Sequence, residues 1–198
     1  MKTKTLDIPF KGLRDYHHGS YLFNSVFQTL MVDYNDLPDE FEITLNRMAH
    51  RQVALIWDTN KLPNTAFAKG SFVQSGKNIR FCIHELDEPV IERAPYPEDE
   101  IEASMSFDEV CTKVQIAADM RYSVIELWIS MIKAMHKRHF TDADGKWVFV
   151  RAKVFLYDPN CTPAVLRAEL AASLGTKLTR NVVYMDDKKI GEVFFALM

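Results

Sequence analysis

The sequence has few of the residues that mark disulfide-rich, metal-binding or disordered chains. Its 198 residues include three cysteines, seven glycines and eight prolines. Cys82, Cys111 and Cys161 are far apart, and the absence of a Cys-x-x-Cys pair excludes a zinc ribbon and a thioredoxin-type motif. Isolated cysteines of this kind predict a reducing, cytoplasmic compartment. Hydrophobic residues make up 47% of the chain, so we expect a packed core rather than disorder.

Clusters of basic residues and long apolar runs are also missing. The formal net charge is -3, and lysine and arginine are spread along the chain, which argues against a nucleic-acid partner. No stretch approaches the roughly 18 consecutive apolar residues of a membrane helix. The N-terminal sequence MKTKTLDIPFKG carries lysines without a following apolar run, so a signal peptide is not expected.

Common cofactor and catalytic motifs do not occur. The sequence has no Walker A loop, no GxGxxG, no GxSxG and no HExxH, so we expect neither a cofactor nor a metal ion. His136 and His139 lie near the end of a predicted helix, where positive charge is favoured. We therefore interpret both as side chains that stabilise the helix end, not as metal ligands.

Two segments have the apolar periodicity of amphipathic helices. The first is 21–34 and the second, with the stronger pattern, is 124–140. Ser20 and Ser123 stand directly before them and are predicted to cap their N-termini. The first helix is expected to bury one face, made of Leu22, Phe23, Val26, Phe27 and Leu30.

The chain repeats one order of elements. Each half reads as a strand, a polar loop, a serine-capped helix, a long strand and a set of hairpin strands. The tails SGKNIRFCIHELDEPVIE and LGTKLTRNVVYMDDKKIG also align, with Gly76 opposite Gly175. A repeat of about 100 residues predicts a duplicated domain, not a solenoid.

An acidic, proline-containing stretch divides the two halves. The sequence APYPEDEIE is typical of a linker between domains. We therefore predict a first unit over residues 1–96, a linker over 97–104 and a second unit over 105–198.

The second half resembles a known family. A helix with a wide apolar stripe must be buried, and an antiparallel sheet wrapped around it provides the surface. The stretch KWVFVRAKVFLYDPNCTPAVLRAELAASLGTKLTRNVVYMDDKKIGEVFFAL resembles the segment after the central helix in hotdog-fold β-hydroxyacyl-thioester dehydratases. There a strand with a basic residue leads into a proline-containing loop, a strand and a hairpin with a charged tip. The resemblance implies an α+β double hotdog, with 165–174 as a strand despite its alanines.

The same resemblance implies a set of candidate site residues. In that family a histidine before one helix removes a proton next to the thioester carbonyl, and an acid on the other unit's helix helps the β-hydroxyl to leave. Here those roles fall to His17 or His18 and to Glu126, in a site between the two units. The predicted substrate-binding residues lie on the two helices: Asn24, Gln28, Trp128 and Ser130.

Several alternatives stay open from the sequence alone. The family's histidine is followed four residues later by a glycine and then by a proline, whereas in this loop Gly19 directly follows His18 and no proline is present. The two histidines also fit a solvated pair in a polar turn, and Glu126 fits a helix-start carboxylate favoured by the dipole. We expect an acyl-thioester dehydratase or thioesterase acting on acyl-CoA or acyl-carrier protein, and a homodimer is consistent with the fold. The alternative is a non-catalytic double hotdog that binds a ligand or a protein.

Overall fold

The computed structural model describes residues 1–59, 63, 65–119 and 121–198. The chain divides into two compact units. The first comprises residues 1–96 together with 155–157, and the second comprises 97–154 and 158–198.

The first unit combines one long helix with an antiparallel sheet. Its elements in chain order are β1 (Lys2–Leu6), β2 (Phe10–Lys11), α1 (Gly19–Tyr34), β3 (Glu40–Leu45), β4 (Arg51–Trp57), β5 (Ala68–Gln74), β6 (Lys77–Pro89) and β7 (Arg93–Ala94). The sheet order is β1-β4-β6-β5-β3, and every neighbouring pair is antiparallel. The short strands β2 and β7 pair separately, in parallel.

Helix α1 buries the face that its sequence pattern predicts. Leu22, Val26 and Leu30 are buried together with two phenylalanines. The rings of Phe23 and Phe27 lie 4.9 and 5.1 Å from that of Phe41 on β3, in edge-to-face contact. Such aromatic pairs add specific geometry to the apolar area that they remove from water, so they fix how the helix lies on its sheet.

The second unit also combines one long helix with an antiparallel sheet. Its elements are α2 (Glu98–Ala103), β8 (Ser106–Phe107), β9 (Lys113–Ala117), α3 (Val124–His139), β10 (Trp147–Phe155, in this unit as far as Val154), β11 (Val165–Leu174), β12 (Leu178–Met185) and β13 (Lys188–Leu197). The sheet order is β10-β13-β12-β11-β9-β8, again with antiparallel neighbours. The predicted strand over 165–174 is confirmed.

The caps of the two long helices differ. Ser123 caps α3 as predicted, because its Oγ accepts a hydrogen bond from the Glu126 backbone N–H. Ser20 does not cap α1, because the helix already begins at Gly19 and His18 occupies the N-cap position. The prediction for Ser20 was therefore wrong by two positions, since the apolar pattern starts only after the first turn.

The segment predicted as a linker contains a helix of the second unit. Ile101 of α2 is buried, and two carboxylates of α2 form salt bridges with α3. Glu98 lies 2.5 Å from Lys133, and Glu102 lies 3.1 Å from Arg138. Residues 98–103 therefore form a helix that packs on α3.

The two sheets do not follow the same strand order. In the first unit β4 and β5 are separated by β6, whereas in the second unit β11, β12 and β13 are consecutive neighbours. Gly76 turns the chain from β5 to β6, and Gly175 turns it from β11 to β12. These turns occupy different places in their sheets, so the sequence alignment of the two tails does not correspond to a spatial equivalence.

A buried polar cluster links α3 to its sheet. His136 Nε2 lies 3.1 Å from Asn181 Oδ1, and the Asn181 amide donates to Thr179 Oγ1 and to the Val193 carbonyl. Because both amide protons are used, Oδ1 must accept, and Nε2 carries the imidazole proton. Burial lowers the pKa of His136 to about 4, and the bond to Asn181 opposes only part of this effect. His136 is therefore neutral at pH 7, which corrects its interpretation as a cation at the helix end.

The stability of the protein should fall between pH 6.5 and 4 because of His136. Above this window the imidazole is neutral in both states, and within it the unfolded chain binds a proton that the folded chain does not. The loss should be on the order of 3 kcal/mol in the free energy of unfolding. Urea unfolding at several pH values, compared with His136→Gln, measures it. An identical pH dependence in the two proteins would contradict this assignment.

Candidate active site

The loop before α1 places its two histidines inside the first unit. His17 is 3% exposed and His18 is 7% exposed, so the interpretation of a solvated pair was wrong. The His17 backbone N–H donates to the Ala49 carbonyl (2.9 Å). The His18 carbonyl accepts hydrogen bonds from the backbone N–H groups of Tyr21 and Leu22, and these are the first hydrogen bonds of α1.

The side chain of His17 is held in one tautomer. Its Nε2 lies 2.8 Å from the Arg51 carbonyl oxygen. Because a carbonyl only accepts, Nε2 carries the proton and Nδ1 presents a lone pair. Nδ1 is buried and has no hydrogen-bond partner among the described residues. The ring also contacts Phe10 edge to face, at 5.2 Å between centroids.

The surroundings of His17 keep it neutral. Burial lowers its pKa below the ordinary value, and the bond to the Arg51 carbonyl and the charge of Glu85 offset only part of that effect. A neutral imidazole with an unfilled nitrogen has the chemistry that a general base requires at neutral pH. The Arg51 carbonyl and the Phe10 ring hold the imidazole in place.

His18 belongs to a different cluster. Its Nδ1 lies 2.8 Å from Ser20 Oγ, and the Lys11 ammonium donates to the same oxygen at 3.4 Å. Lys11 is fully buried, and its Nζ lies 4.1 Å from the ring centre of Tyr21 and 4.8 Å from that of Tyr96. Both ring faces attract the cation. The cluster therefore packs against the first turn of α1.

Asn24 and Gln28, both predicted to bind substrate, follow Ser20 at one-turn intervals on α1. Asn24 is half-buried, and Gln28 is exposed. Both lie on the same helix as the histidine loop, and their role in binding stays a prediction.

The remaining predicted residues lie on α3 in the second unit. Glu126 is in the first turn and is nearly buried, and Ser130 follows one turn later, also buried. Trp128 is fully buried, and its indole N–H donates to the Tyr184 carbonyl at 3.3 Å. Its ring is therefore part of the core of this unit. A substrate contact by Trp128, and the partnership of Glu126 with the histidines, stay predictions.

Sequence reasoning assigned Ser20 only as a helix cap, and it missed Lys11 and Tyr96 as neighbours of the histidine loop. No local pattern identifies them, because the parallel pairing of β2 with β7 brings the segment before Tyr96 next to Lys11. A lysine flanked by apolar residues in IPFKG is the one available signal, and it is weak.

The described residues contain no group of three or more His, Cys, Asp or Glu side chains arranged to hold a metal ion. Among the helices that the structure describes, none is long and apolar enough to cross a membrane.

Comparison with known proteins identifies the fold. No protein-family model and no curated protein matches the chain. The TesB protein of Mycobacterium avium subsp. paratuberculosis matches with a TM-score of 0.54 at 10% identity, over 96% of this chain and 91% of that one. A candidate thioesterase II from Thermobifida fusca matches with a TM-score of 0.52 at 12% identity, over 94% and 88%. The dehydratase domain of PpsC from Mycobacterium tuberculosis, solved with C12:1-CoA, matches with a TM-score of 0.54 at 14% identity, over 99% and 92%.

The chain therefore has the hotdog fold, as the resemblance implied. Thioesterases and polyketide-synthase dehydratase domains share this fold. At identities of 10–14% the likeness establishes the fold and not the activity.

The tautomer of His17 can be tested directly. We expect long-range ¹H–¹⁵N spectra to show a protonated Nε2 and an unprotonated Nδ1 at pH 7, because the Arg51 carbonyl fixes the proton. The titration midpoint should lie below the ordinary histidine value, because burial lowers the pKa of His17. The His17→Gln variant assigns the signals. A proton on Nδ1, or a midpoint at or above 6.5, would contradict the geometry.

Proposed function

We propose that this protein processes acyl thioesters carried by coenzyme A or acyl-carrier protein, by dehydration or by hydrolysis. The observation that carries the proposal is the neutral, buried His17, whose Nδ1 has no partner among the described residues, next to the start of α1 in a hotdog unit. The neighbours support it, because they include a TesB protein and a dehydratase domain solved with an acyl-CoA.

The proposal includes the predicted double hotdog. Each unit contains one long helix and one antiparallel sheet of five or six strands. We propose that the chain arose by duplication and that Glu126 of the second unit serves as the acid for the histidine of the first.

The chemistry needs a base and a group that stabilises negative charge. In dehydration His17 Nδ1 would take the α-proton, the β-carbon–oxygen bond would break, and Glu126 would protonate the departing hydroxyl as water. In hydrolysis Nδ1 would take a proton from water, whose oxygen attacks the carbonyl, and would return it to the thiolate as the carbon–sulfur bond breaks. In both reactions, negative charge develops on the thioester carbonyl oxygen. The first backbone amides of α1, at Gly19 and Ser20, have no carbonyl partner within the helix and are suited to stabilise it.

A second candidate is a non-catalytic acyl-binding protein. It is favoured by the engagement of His18 with Ser20 and by the departure of the loop from the histidine–glycine–proline pattern of the dehydratases. In this case the buried rings would stabilise the loop and perform no proton transfer.

Replacing His17 should abolish most of the activity. A panel of acyl-CoA and 3-hydroxyacyl-CoA esters, and the same acyl groups on acyl-carrier protein, would be followed by thiol release and enoyl absorbance together. On the best substrate, His17→Gln should lower kcat/KM by about 10²- to 10⁴-fold, because a general base contributes that much. The control His84→Gln, on β6, should retain wild-type activity.

Glu126→Gln should produce a loss of similar size if Glu126 is the acid. Full activity of this variant would show that Glu126 is not the acid, without affecting the role proposed for His17. Turnover of no ester on either carrier, with measurable binding of an acyl-CoA, would favour the non-catalytic candidate.

A further inference from the structure

The carboxylate of Glu85 on β6 holds the segment that carries the partner of His17. It accepts hydrogen bonds from the backbone N–H of His50 (2.6 Å) and of Arg51 (3.3 Å), and from the Arg47 guanidinium. The carbonyl of Arg51 is the group to which His17 Nε2 donates. Glu85 and the His17 imidazole thus bind the two ends of the same residue, the backbone N–H and the carbonyl of Arg51.

The ladder between β4 and β6 is interrupted beside this segment. The register between β4 and β6 shifts between Arg51, opposite Pro89, and Val53, opposite Glu85. At such a bulge the regular ladder is interrupted, and the local backbone groups need other partners. The Glu85 side chain supplies them for two consecutive N–H groups, and a carboxylate forms stronger bonds of this kind than a neutral acceptor.

The same segment is tied to the histidine loop on its other side. His50 Nδ1 lies 2.7 Å from the Asp15 carbonyl oxygen, and the Ala49 carbonyl accepts from the His17 N–H. Residues 49–51 therefore contact both the backbone and the ring of the loop that contains His17. Displacing them would move the imidazole and release its tautomer.

We propose that Glu85 is the positioning residue of His17: through the backbone of His50 and Arg51 it fixes the imidazole with Nε2 protonated and Nδ1 unprotonated. Glu85 touches no substrate in this account. The inference rests on the proposed function only where it concerns catalysis, since the orientation of the ring is measurable without turnover.

The charges around His17 give the proposal a second readout. Glu85, on β6, favours the charged imidazole, whereas His50, in the loop before β4, disfavours it. From β2 the ring meets Phe10, which carries no charge. The pKa of Glu85 is itself lowered, because the bonds from His50, Arg47 and Arg51 outweigh the effect of burial, so it is ionised at neutral pH. Removing its charge should make His17 harder to protonate.

Two substitutions separate the charge of Glu85 from its hydrogen bonds. Glu85→Gln keeps an oxygen for the backbone N–H groups but loses the charge, so His17 should keep its Nε2–H tautomer and titrate at lower pH than in wild type. Glu85→Ala removes both, so the spectrum should show mixed tautomers or a proton moved to Nδ1. Glu88→Gln, an exposed carboxylate on the same strand, is the matched control and should leave the His17 spectrum unchanged.

Kinetic measurements on the same variants test the effect of Glu85 on catalysis. On a substrate that the wild type turns over, Glu85→Ala should lower kcat by roughly 10- to 100-fold with KM within about twofold, as expected for a misplaced base. Glu85→Gln should lose less and should shift the acid limb of the pH profile downward. An unchanged His17 tautomer in folded Glu85→Ala, or an unchanged midpoint in Glu85→Gln, overturns the proposal. An altered His17 spectrum in a protein that turns over no thioester upholds the positioning and contradicts only the proposed function.

Discussion

The burial of α1 against its sheet is the constraint on which the candidate site depends. Phe23 and Phe27 pack on Phe41, so the helix cannot slide or rotate without opening the core of the first unit. Its N-terminus is fixed as a consequence. Because His18 is the N-cap residue, the adjacent His17 is brought inside the unit, where a carbonyl oxygen selects its tautomer.

Much of the local structure could be predicted from the sequence. Helical periodicity identified both long helices, the Ser123 cap followed from its position, and the resemblance correctly assigned the alanine-containing strand over 165–174. The start of α1 and the helix within the predicted linker could not be predicted in this way. Their apolar signal is short, and α2 is held by salt bridges from residues of α3 more than thirty positions away. The different strand orders of the two sheets could not be predicted either. Hairpin signals identify strands but do not determine which strand lies between two others.

In the candidate site, too, features close together in sequence could be predicted, whereas long-range contacts could not. The sequence singled out the histidine pair by its place before a helix, and the structure places both rings inside the first unit. The sequence did not show that the pair is buried, that Ser20 bonds both His18 and Lys11, or that Glu85 holds the Arg51 segment. Glu85 is more than thirty residues from the backbone that it binds, and such contacts follow from sheet pairing and from a bulge.

One measurement tests the central claim that His17 is the base in acyl-thioester chemistry. The pH dependence of kcat/KM on the best thioester substrate would be compared with the titration of His17 followed by NMR in the free protein. We expect the acid limb of the profile to coincide with the His17 midpoint, below the ordinary histidine value, because kcat/KM reports groups of the free enzyme. An acid limb that stays in place while the His17 midpoint lies elsewhere, or that persists in His17→Gln, would contradict the account.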